Sequence, residues 1–318
     1  MNKEKNCFHY KKYNMAMSCW QTDKSRVKLV LMKNILDFLA CQKCLGELSE
    51  EKEKIVCKKC GSSFDLKNNK YYFTQVKKDI NPSTDIKITD SKKWTEWRKK
   101  NFVFFETELK NIPFGSYVLD IGAGKAHFKT LLKNMNYLAM DFFDYEPINV
   151  VTDITKQLPF QSNKFDCLIL SNVLEHVSEP QALLKECLRI LKKDGILLMT
   201  VPFFIKIHQE PYDFYRYTPF CFEYLLSQAG FVKTRVENIG DIFDIYKVIK
   251  KELFNVVNQN LTKNIKSRYL RIIPRVFLKI FEISINTVFQ IIKSLKIFTK
   301  AKKEKTNYSH GYGVVAKK

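Results

Sequence analysis

The chain has 318 residues, of which 54 are Lys or Arg and 33 are Asp or Glu, giving a formal net charge of +21. It contains no uncharged apolar run of about 18 residues and no N-terminal apolar stretch of signal-peptide length, which argues against a membrane-spanning helix and a secreted disulfide scaffold. We therefore expect a cytoplasmic protein with reduced cysteines. The length allows one large domain and one small domain.

The positive charge is concentrated at the C-terminal end. Residues 245–318 carry 17 basic against 3 acidic side chains, whereas residues 41–244 carry 29 against 27. A charge block of this kind predicts an anionic partner, either a membrane surface or nucleic acid. The alternative is a solvated basic tail that only aids solubility.

Composition and periodicity divide the chain into six segments. In order, they are a segment expected to be either disordered or an upstream extension (1–34), a compact cysteine-bearing unit (35–75), a polar linker (76–93), an alternating strand and helix core (94–242), a basic amphipathic helical insertion (243–305) and a last strand (306–318).

Four cysteines form two C-x-x-C pairs separated by twelve residues: Cys41, Cys44, Cys57 and Cys60. Two such pairs can supply four thiolates to one tetrahedral Zn²⁺, and this leaves no open position, so the metal is expected to be structural. Gly46 and Gly61 follow the two pairs, as tight turns around a metal require. The alternative, two redox-active pairs, lacks a thioredoxin-like sequence setting.

The core alternates between strand and helix patterns. Strands are predicted at 117–121, 137–142, 149–153, 165–172, 195–202 and 231–240. One helix is predicted from Lys93 to Lys110 and another before Gly195, and a third should have Thr218 as N-cap and Gly230 as its C-terminal stop. This alternation predicts an α/β fold with a doubly wound parallel sheet.

The loop VLDIGAGKAHF after the first core strand has the form of a nucleotide-binding turn that opens into a helix. It lacks the Gly-Lys-Ser/Thr of a P-loop, because Ala126 follows Lys125, and His127 occupies the third glycine position of a dinucleotide fingerprint. Asp120 instead suits a ligand with positive charge and no phosphate, which is the chemistry of S-adenosylmethionine.

Acidic and polar residues follow the next three strands. Asp141 is placed to accept the ribose hydroxyls, Asp153 to meet the adenine amino group, and Asn172 to lie beside the methionine portion. Each aspartate alone could equally be a turn residue or a helix cap. The predicted cofactor-binding residues are Asp120, Ile121, Gly122, Ala123, Gly124, Asp141, Phe142, Asp153, Ile154, Ser171 and Asn172.

Residues 95–240 resemble the class I S-adenosylmethionine-dependent methyltransferases, in particular the ubiquinone/menaquinone type. The resemblance is carried by VLDIGAG, AMDFFD, TDITKQLPFQSNKFDCLILSNVLEHVSEP and ECLRILKKDGILLMTVP. It implies a Rossmann-like sheet of seven strands whose last strand, here YSHGYGVVAKK, is antiparallel. The cysteine-bearing segment resembles a short zinc-ribbon family found as methyltransferase activators.

Two segments are expected to face the transferred methyl group. NVLEHVSEP offers His176, and HQEPYDFYRYTP resembles a loop of methyltransferases associated with surface-glycan and lipid-linked saccharide pathways. The predicted catalytic residues are His176, His208, Asp213, Tyr215 and Arg216. Each histidine could instead be structural, and Arg216 could be scaffold.

The insertion carries polar side chains at intervals of three and four residues along an otherwise apolar segment. They are Arg275, Lys279, Glu282, Asn286, Gln290, Lys293, Lys296 and Lys300. This pattern is typical of a helix at a membrane interface, although packing on its own domain or a dimer partner would also explain it.

The sequence therefore predicts a methyltransferase that acts on a membrane-associated acceptor, such as a lipid-linked saccharide or a lipid, with peripheral attachment to the inner face of the membrane through 243–305. An RNA methyltransferase acting on tRNA or rRNA is the alternative, since basic segments also bind nucleic acid. A non-catalytic adaptor with the same fold is a second alternative.

Overall fold

The computed structural model describes residues 34–75, 94–263, 272–294 and 308–318. The expectations for the N-terminal extension up to residue 33 and for the linker 76–93 lie outside these ranges, as do those for Lys296 and Lys300.

Eleven strands and five α-helices are present in the described residues. The strands are β1 Leu48–Glu51, β2 Lys54–Cys57, β3 Ser63–Lys67, β4 Lys70–Tyr72, β5 Tyr117–Ile121, β6 Asn136–Asp141, β7 Val150–Val151, β8 Phe165–Ser171, β9 Leu191–Pro202, β10 Lys233–Ile239 and β11 Gly311–Lys317. The helices are α1 Glu96–Leu109, α2 Pro180–Ile190, α3 Pro219–Ala229, α4 Ile242–Lys263 and α5 Ile272–Ser294.

The core sheet has the strand order β7-β6-β5-β8-β9-β11-β10. Strands β5 to β9 pair in parallel, whereas β11 is antiparallel to both β9 and β10. The predicted seven-stranded α/β sheet with an antiparallel last strand is therefore confirmed. The order reverses beside β5, so the loops after β5 and β8 lie at the position where such sheets bind ligands.

The cysteine-bearing unit extends this sheet. Strands β1 to β4 form an antiparallel meander, and β4 pairs in parallel with β7 through Tyr71 with Val150 and Tyr72 with Val151. Leu39 and Ile55 of the unit are buried in the same apolar cluster as the residues of β5 and β8. The unit therefore shares both a sheet and an apolar core with the α/β domain. The shared sheet forms because β7, at the edge of the core sheet, has backbone groups that β4 can pair with.

The helix boundaries follow local capping chemistry in part. Thr218 caps α3 by accepting from the backbone N–H of Cys221, and Gly230 ends it with a φ of 105°, as the sequence predicts. Helix α2 stops at Ile190 and does not continue to Gly195. Leu191 already pairs with Phe165 as the start of β9, and its burial draws the chain into the sheet.

The helix expected directly after the glycine loop is absent from the described residues. The chain makes turns there and then a short 3₁₀ helix, Lys129–Leu131. Ala126 has a φ of 52°, in the left-handed region. A left-handed residue interrupts a right-handed helix, so the loop stays irregular at this point.

Residues 240–310 form a separate compact unit that contains α4 and α5. The two helices contact each other through the rings of Phe254 and Phe281, whose centroids are 6.2 Å apart, and through a hydrogen bond from Lys250 Nζ to Asn286 Oδ1. No helix among the described residues is both long enough and apolar enough to cross a membrane.

Candidate active site and metal centre

The glycine loop leaves β5 at Ile121 and places two glycines in the left-handed region. Gly122 has a φ of 68° and Gly124 a φ of 54°, a conformation that glycine adopts without steric cost. A Cβ on Gly122 would lie 2.5 Å from Val173 Cγ2, whereas a Cβ on Gly124 would meet no described atom within 4 Å. Gly122 therefore permits close packing, and Gly124 borders open space.

Asp141, the last residue of β6, is held against this loop. Its Oδ2 accepts a hydrogen bond of 2.8 Å from the backbone N–H of Gly124, and its Oδ1 accepts one of 2.9 Å from the N–H of Phe143. The carboxylate thus joins the loop after β5 to the turn after β6. This places Asp141 at the edge where the sequence predicts a ribose-binding acid.

Asp120 lies deeper than predicted. Its side chain is buried inside β5, and Oδ2 accepts a hydrogen bond of 2.9 Å from the hydroxyl of Tyr137. Burial raises the pKa of Asp120 to about 7, partly opposed by the Tyr137 hydrogen bond. Asp120 therefore lies buried beneath the glycine loop, bound to Tyr137, and its carboxylate is not exposed for direct contact with a ligand.

Asp153 forms a local turn after β7. Its Oδ1 accepts hydrogen bonds from the backbone N–H of Thr155, at 2.9 Å, and from the Thr155 hydroxyl, at 2.7 Å. Ile154 is partly buried against the core cluster. This geometry fits the alternative that Asp153 is a turn residue.

Ser171 and Asn172, at the end of β8, bind two residues of α1. Trp97 donates from Nε1 to Asn172 Oδ1 at 2.9 Å, and Asn101 donates from Nδ2 to Ser171 Oγ at 3.1 Å. Asn172 has a φ of 55°. Helix α1 is therefore fixed by side-chain hydrogen bonds beside the strand end that the sequence assigns to the cofactor.

The structure brings His176 and His208 together. Their rings meet edge to face with centroids 4.7 Å apart. Both lie beside Glu175, whose carboxylate is fully buried and has no hydrogen-bond partner among the described residues. Burial raises the pKa of Glu175 to about 8, and burial also lowers the pKa of His176.

Asp213 and Arg216 form an ion pair that supports this cluster. Arg216 donates from two guanidinium nitrogens to the Asp213 carboxylate at 2.6 and 2.8 Å, and this pairing holds the pKa of Asp213 well below its usual range. Asp213 also accepts from the backbone N–H of His208 at 2.9 Å. The Tyr215 hydroxyl donates to the carbonyl oxygen of Ser178, so Tyr215 and Arg216 position the loop.

Large apolar side chains are exposed on the loop that carries His208. Those at least one-third exposed are Phe204, Ile207, Tyr212, Phe214 and Tyr215. A cluster of exposed aromatic side chains beside polar groups is a common form of ligand surface.

The four predicted metal ligands converge at one point. Their sulfur atoms all lie within 4.8 Å of one another, with 3.6 Å between Cys41 and Cys60 and 3.5 Å between Cys44 and Cys57. Zn–S bonds of about 2.3 Å in a tetrahedron place sulfurs about 3.8 Å apart, so the arrangement fits one Zn²⁺.

The glycines after the cysteine pairs have a steric role. A Cβ on Gly46 would lie 2.9 Å from the sulfur of Cys57, and Gly61 has a φ of 69°. Backbone hydrogen bonds close both turns, from Leu45 N–H to Cys41 and from Gly61 N–H to Cys57. Hydrogen bonds with the side chain and backbone of Ser62 lower the pKa of the Cys60 thiol to about 6, which favours the thiolate that a metal binds, whereas burial raises the pKa of the Cys41 thiol to about 12.

Comparison with known proteins agrees with this architecture. Residues 119–199 match the protein family described as "Methyltransferase domain". The match includes the glycine loop, Asp141 and the strand end at Asn172.

Several relatives resemble parts of the chain. An uncharacterized protein of Methanocaldococcus jannaschii is 37% identical over 91 residues, 26% of this chain and 40% of the relative. The ubiquinone/menaquinone biosynthesis C-methyltransferase of Haemophilus ducreyi is 30% identical over 105 residues, 32% of this chain and 35% of the relative. The chain thus spans less than half the length of either relative.

Among solved structures, a SAM-dependent methyltransferase from Archaeoglobus fulgidus aligns with a TM-score of 0.40 at 18% sequence identity, covering 68% of this chain and 94% of that one.

Sequence reasoning missed three residues of the candidate site: Trp97, Asn101 and Glu175. Trp97 and Asn101 lie in a predicted helix, but nothing in the local pattern shows that they contact β8. Glu175 stands beside His176 in NVLEHVSEP, and a carboxylate next to a candidate catalytic histidine was a usable signal. Its complete burial, however, depends on the packing around it.

Proposed function

We propose that this protein is an S-adenosylmethionine-dependent methyltransferase. The observation that carries the proposal is the contact between Asp141 and Gly124, which brings a buried acid from β6 to a glycine that borders open space. A ligand with vicinal hydroxyls and no phosphate suits this site, because a carboxylate accepts hydroxyl donors and repels phosphate. The match of residues 119–199 to the methyltransferase domain supports it.

The residues present suit this cofactor. Gly122 and Gly124 allow close backbone approach, Asp141 offers the ribose contact, and Asn172, held by Trp97, lies at the neighbouring strand end. When bound, the cofactor supplies an electrophilic methyl group. The protein's contribution is to orient the acceptor in line with that group and to exclude water.

We propose further that the acceptor is membrane-associated, such as a lipid-linked saccharide or a lipid. The exposed aromatic side chains beside His208 suit an acceptor with an apolar portion. The excess of basic residues after residue 245 suits an anionic surface.

Helix α5 supports peripheral membrane binding within its own unit. Its exposed apolar side chains include Val276, Phe277, Ile280, Ile283, Val288 and Ile291. At 100° per residue these positions occupy one continuous side of the helix. A long apolar side next to basic residues favours a bilayer interface over RNA, which is bound by charge and by isolated aromatic platforms.

The proposal is tested with the full chain and labelled cofactor. Calorimetry should show binding of S-adenosylmethionine, and incubation with membrane extract should transfer the labelled methyl group to a lipid-extractable product. Label recovered in RNA instead would establish the RNA alternative. A chain that binds neither S-adenosylmethionine nor its demethylated product would refute the enzyme and favour an adaptor.

A further inference from the structure

Glu175 and His176, after β8, and His208, after β9, place a carboxylate oxygen and two imidazole nitrogens close together. Glu175 is 0% exposed, and neither carboxylate oxygen has a hydrogen-bond partner among the described residues. His176 Nε2, also buried and without a partner in the described chain, lies 3.6 Å from Glu175 Oε1. His208 Nε2 lies 4.0 Å from the same oxygen.

The hydrogen bonds of the two histidines fix which ring nitrogen carries the proton. His176 Nδ1 lies 2.6 Å from the carbonyl oxygen of Tyr212, which can only accept, so Nδ1 carries the proton and Nε2 of the neutral ring carries a lone pair. His208 Nδ1 lies 3.2 Å from the carbonyl oxygen of Lys206 and 3.3 Å from Asp213 Oδ2. Both neighbours are acceptors, so the same assignment holds for His208.

In metal-binding histidines, the ring nitrogen that does not bind the metal typically donates a hydrogen bond, as Nδ1 does here. A carbonyl or carboxylate acceptor at Nδ1 orients the ring and makes Nε2 a better ligand. Asp213 is itself held by the two hydrogen bonds from Arg216. Arg216 therefore holds Asp213 in place, and Asp213 in turn orients the ring of His208.

A buried carboxylate that faces two imidazole lone pairs is unfavourable unless a proton or a metal cation lies between them. At 3.6 and 4.0 Å from the two ring nitrogens, Glu175 Oε1 is farther than a hydrogen bond spans, whereas one metal ion bridges such gaps. We propose that Glu175, His176 and His208 bind one divalent transition-metal ion at a site separate from the four cysteines. The proposed function does not include this ion. Two imidazoles and one carboxylate suit Zn²⁺, Fe²⁺, Co²⁺ or Mn²⁺, and three protein ligands leave a coordination position for an oxygen ligand such as water or an acceptor hydroxyl.

The spacing permits this assignment. The three ligand atoms lie within 4.8 Å of one another. Ligands bound at about 2.1 Å to one ion would be about 3.0 to 3.4 Å apart. Small rotations of the two half-buried histidine side chains therefore suffice to close the site around an ion.

The test counts metal ions in the full chain after chelator stripping and reconstitution with Co²⁺. Two ions per chain are expected, one at the four cysteines and one at Glu175, His176 and His208. Only the cysteine site gives a thiolate-to-cobalt charge-transfer band in the near ultraviolet. Cys57→Ser should lose that band and retain one ion.

Glu175→Gln should retain the thiolate band but hold one ion fewer. Glu179→Gln, the same change at an exposed position four residues away, is the matched control and should hold as many ions as the wild type. His208→Asn, at a more exposed ligand, is a second variant that decides the question if Glu175→Gln fails to fold.

Binding of one ion per chain by the wild type, all of it lost in Cys57→Ser, would overturn the proposal. So would equal metal content in Glu175→Gln, His208→Asn and Glu179→Gln. Calorimetry with S-adenosylmethionine on the same samples separates this result from the proposed function, because none of these variants alters the glycine loop or Asp141.

Discussion

The carboxylate of Asp141 accepts a 2.8 Å hydrogen bond from the backbone N–H of Gly124, seventeen residues earlier in the chain. The same carboxylate accepts from the N–H of Phe143 through its other oxygen. One side chain thus sets the distance between the loop after β5 and the turn after β6. Any ligand that lies along Gly124 must also lie against Asp141.

The first prediction concerns that carboxylate. Asp141→Asn should weaken S-adenosylmethionine binding by about 1–3 kcal/mol, because it removes a charged acceptor from the ribose hydroxyls. Isothermal titration calorimetry measures the change. Asp144→Asn, an exposed acid three residues on that pairs with Lys70, is the matched control and should bind the cofactor as the wild type does. Equal affinities for both variants would remove Asp141 from the site.

The second prediction concerns pH and Asp120. Burial raises the pKa of Asp120 to about 7; the hydrogen bond from Tyr137 opposes this rise and nearby Asp141 adds to it. In the unfolded chain the pKa of an aspartate is about 3.9. Between about pH 4 and pH 7 the folded state therefore binds more protons than the unfolded state. This group's contribution to the free energy of unfolding is full below that window and is lost as pH rises through it.

Asp120→Asn stays neutral and can still accept from Tyr137, so it should lack this loss. Urea unfolding at about pH 4.5, 6 and 8 should show the variant gaining stability relative to the wild type as pH rises. A difference between the two proteins that does not change with pH would show that Asp120 titrates normally.

The third prediction concerns the cysteine site. Cys57→Ser should lose the ion bound by the four cysteines and lower the unfolding temperature of the whole sheet, because Leu39 and Ile55 share a core with the α/β domain. Differential scanning calorimetry with metal analysis measures both. Cys221→Ser, a half-buried cysteine outside the site, should keep the ion. An unchanged melting transition after loss of the ion would mean that the cysteine-bearing unit is stable without metal.

The fourth prediction concerns membrane binding by α5. Replacing Phe277 and Ile280 with Asp should abolish co-sedimentation with anionic liposomes, because both side chains are well exposed on the apolar side of the helix. Phe281 and Ile285 on the same helix are left unchanged, because Phe281 contacts Phe254 of α4 and Ile285 is half-buried.

The control for that experiment adds the same charge elsewhere in the unit. Asn255→Asp with Gln259→Asp places two acids at exposed polar positions of α4 and should reduce liposome binding only modestly, through charge alone. If the wild type does not sediment with liposomes, or if the Phe277 and Ile280 variant unfolds, the apolar side belongs to a protein contact.

The sequence by itself determined the features that depend on neighbouring residues. The bounds of β5 follow from a short, nearly continuous apolar run. The cap at Thr218 and the stop at Gly230 follow from the backbone chemistry of Thr and Gly. The spacing of Cys41, Cys44, Cys57 and Cys60 likewise predicts their convergence, because each pair lies in one tight turn.

Tertiary structure decided what depends on distant residues. The pairing of Tyr71 with Val150, the contact of Trp97 with Asn172 and the burial of Glu175 join segments far apart in the chain or depend on several packed elements. Such contacts leave no local pattern, because they arise from the free energy of packing whole elements rather than from the propensities of single residues. The glycine loop could be recognised in the sequence, whereas the buried carboxylate beside two histidines is apparent only in the folded structure.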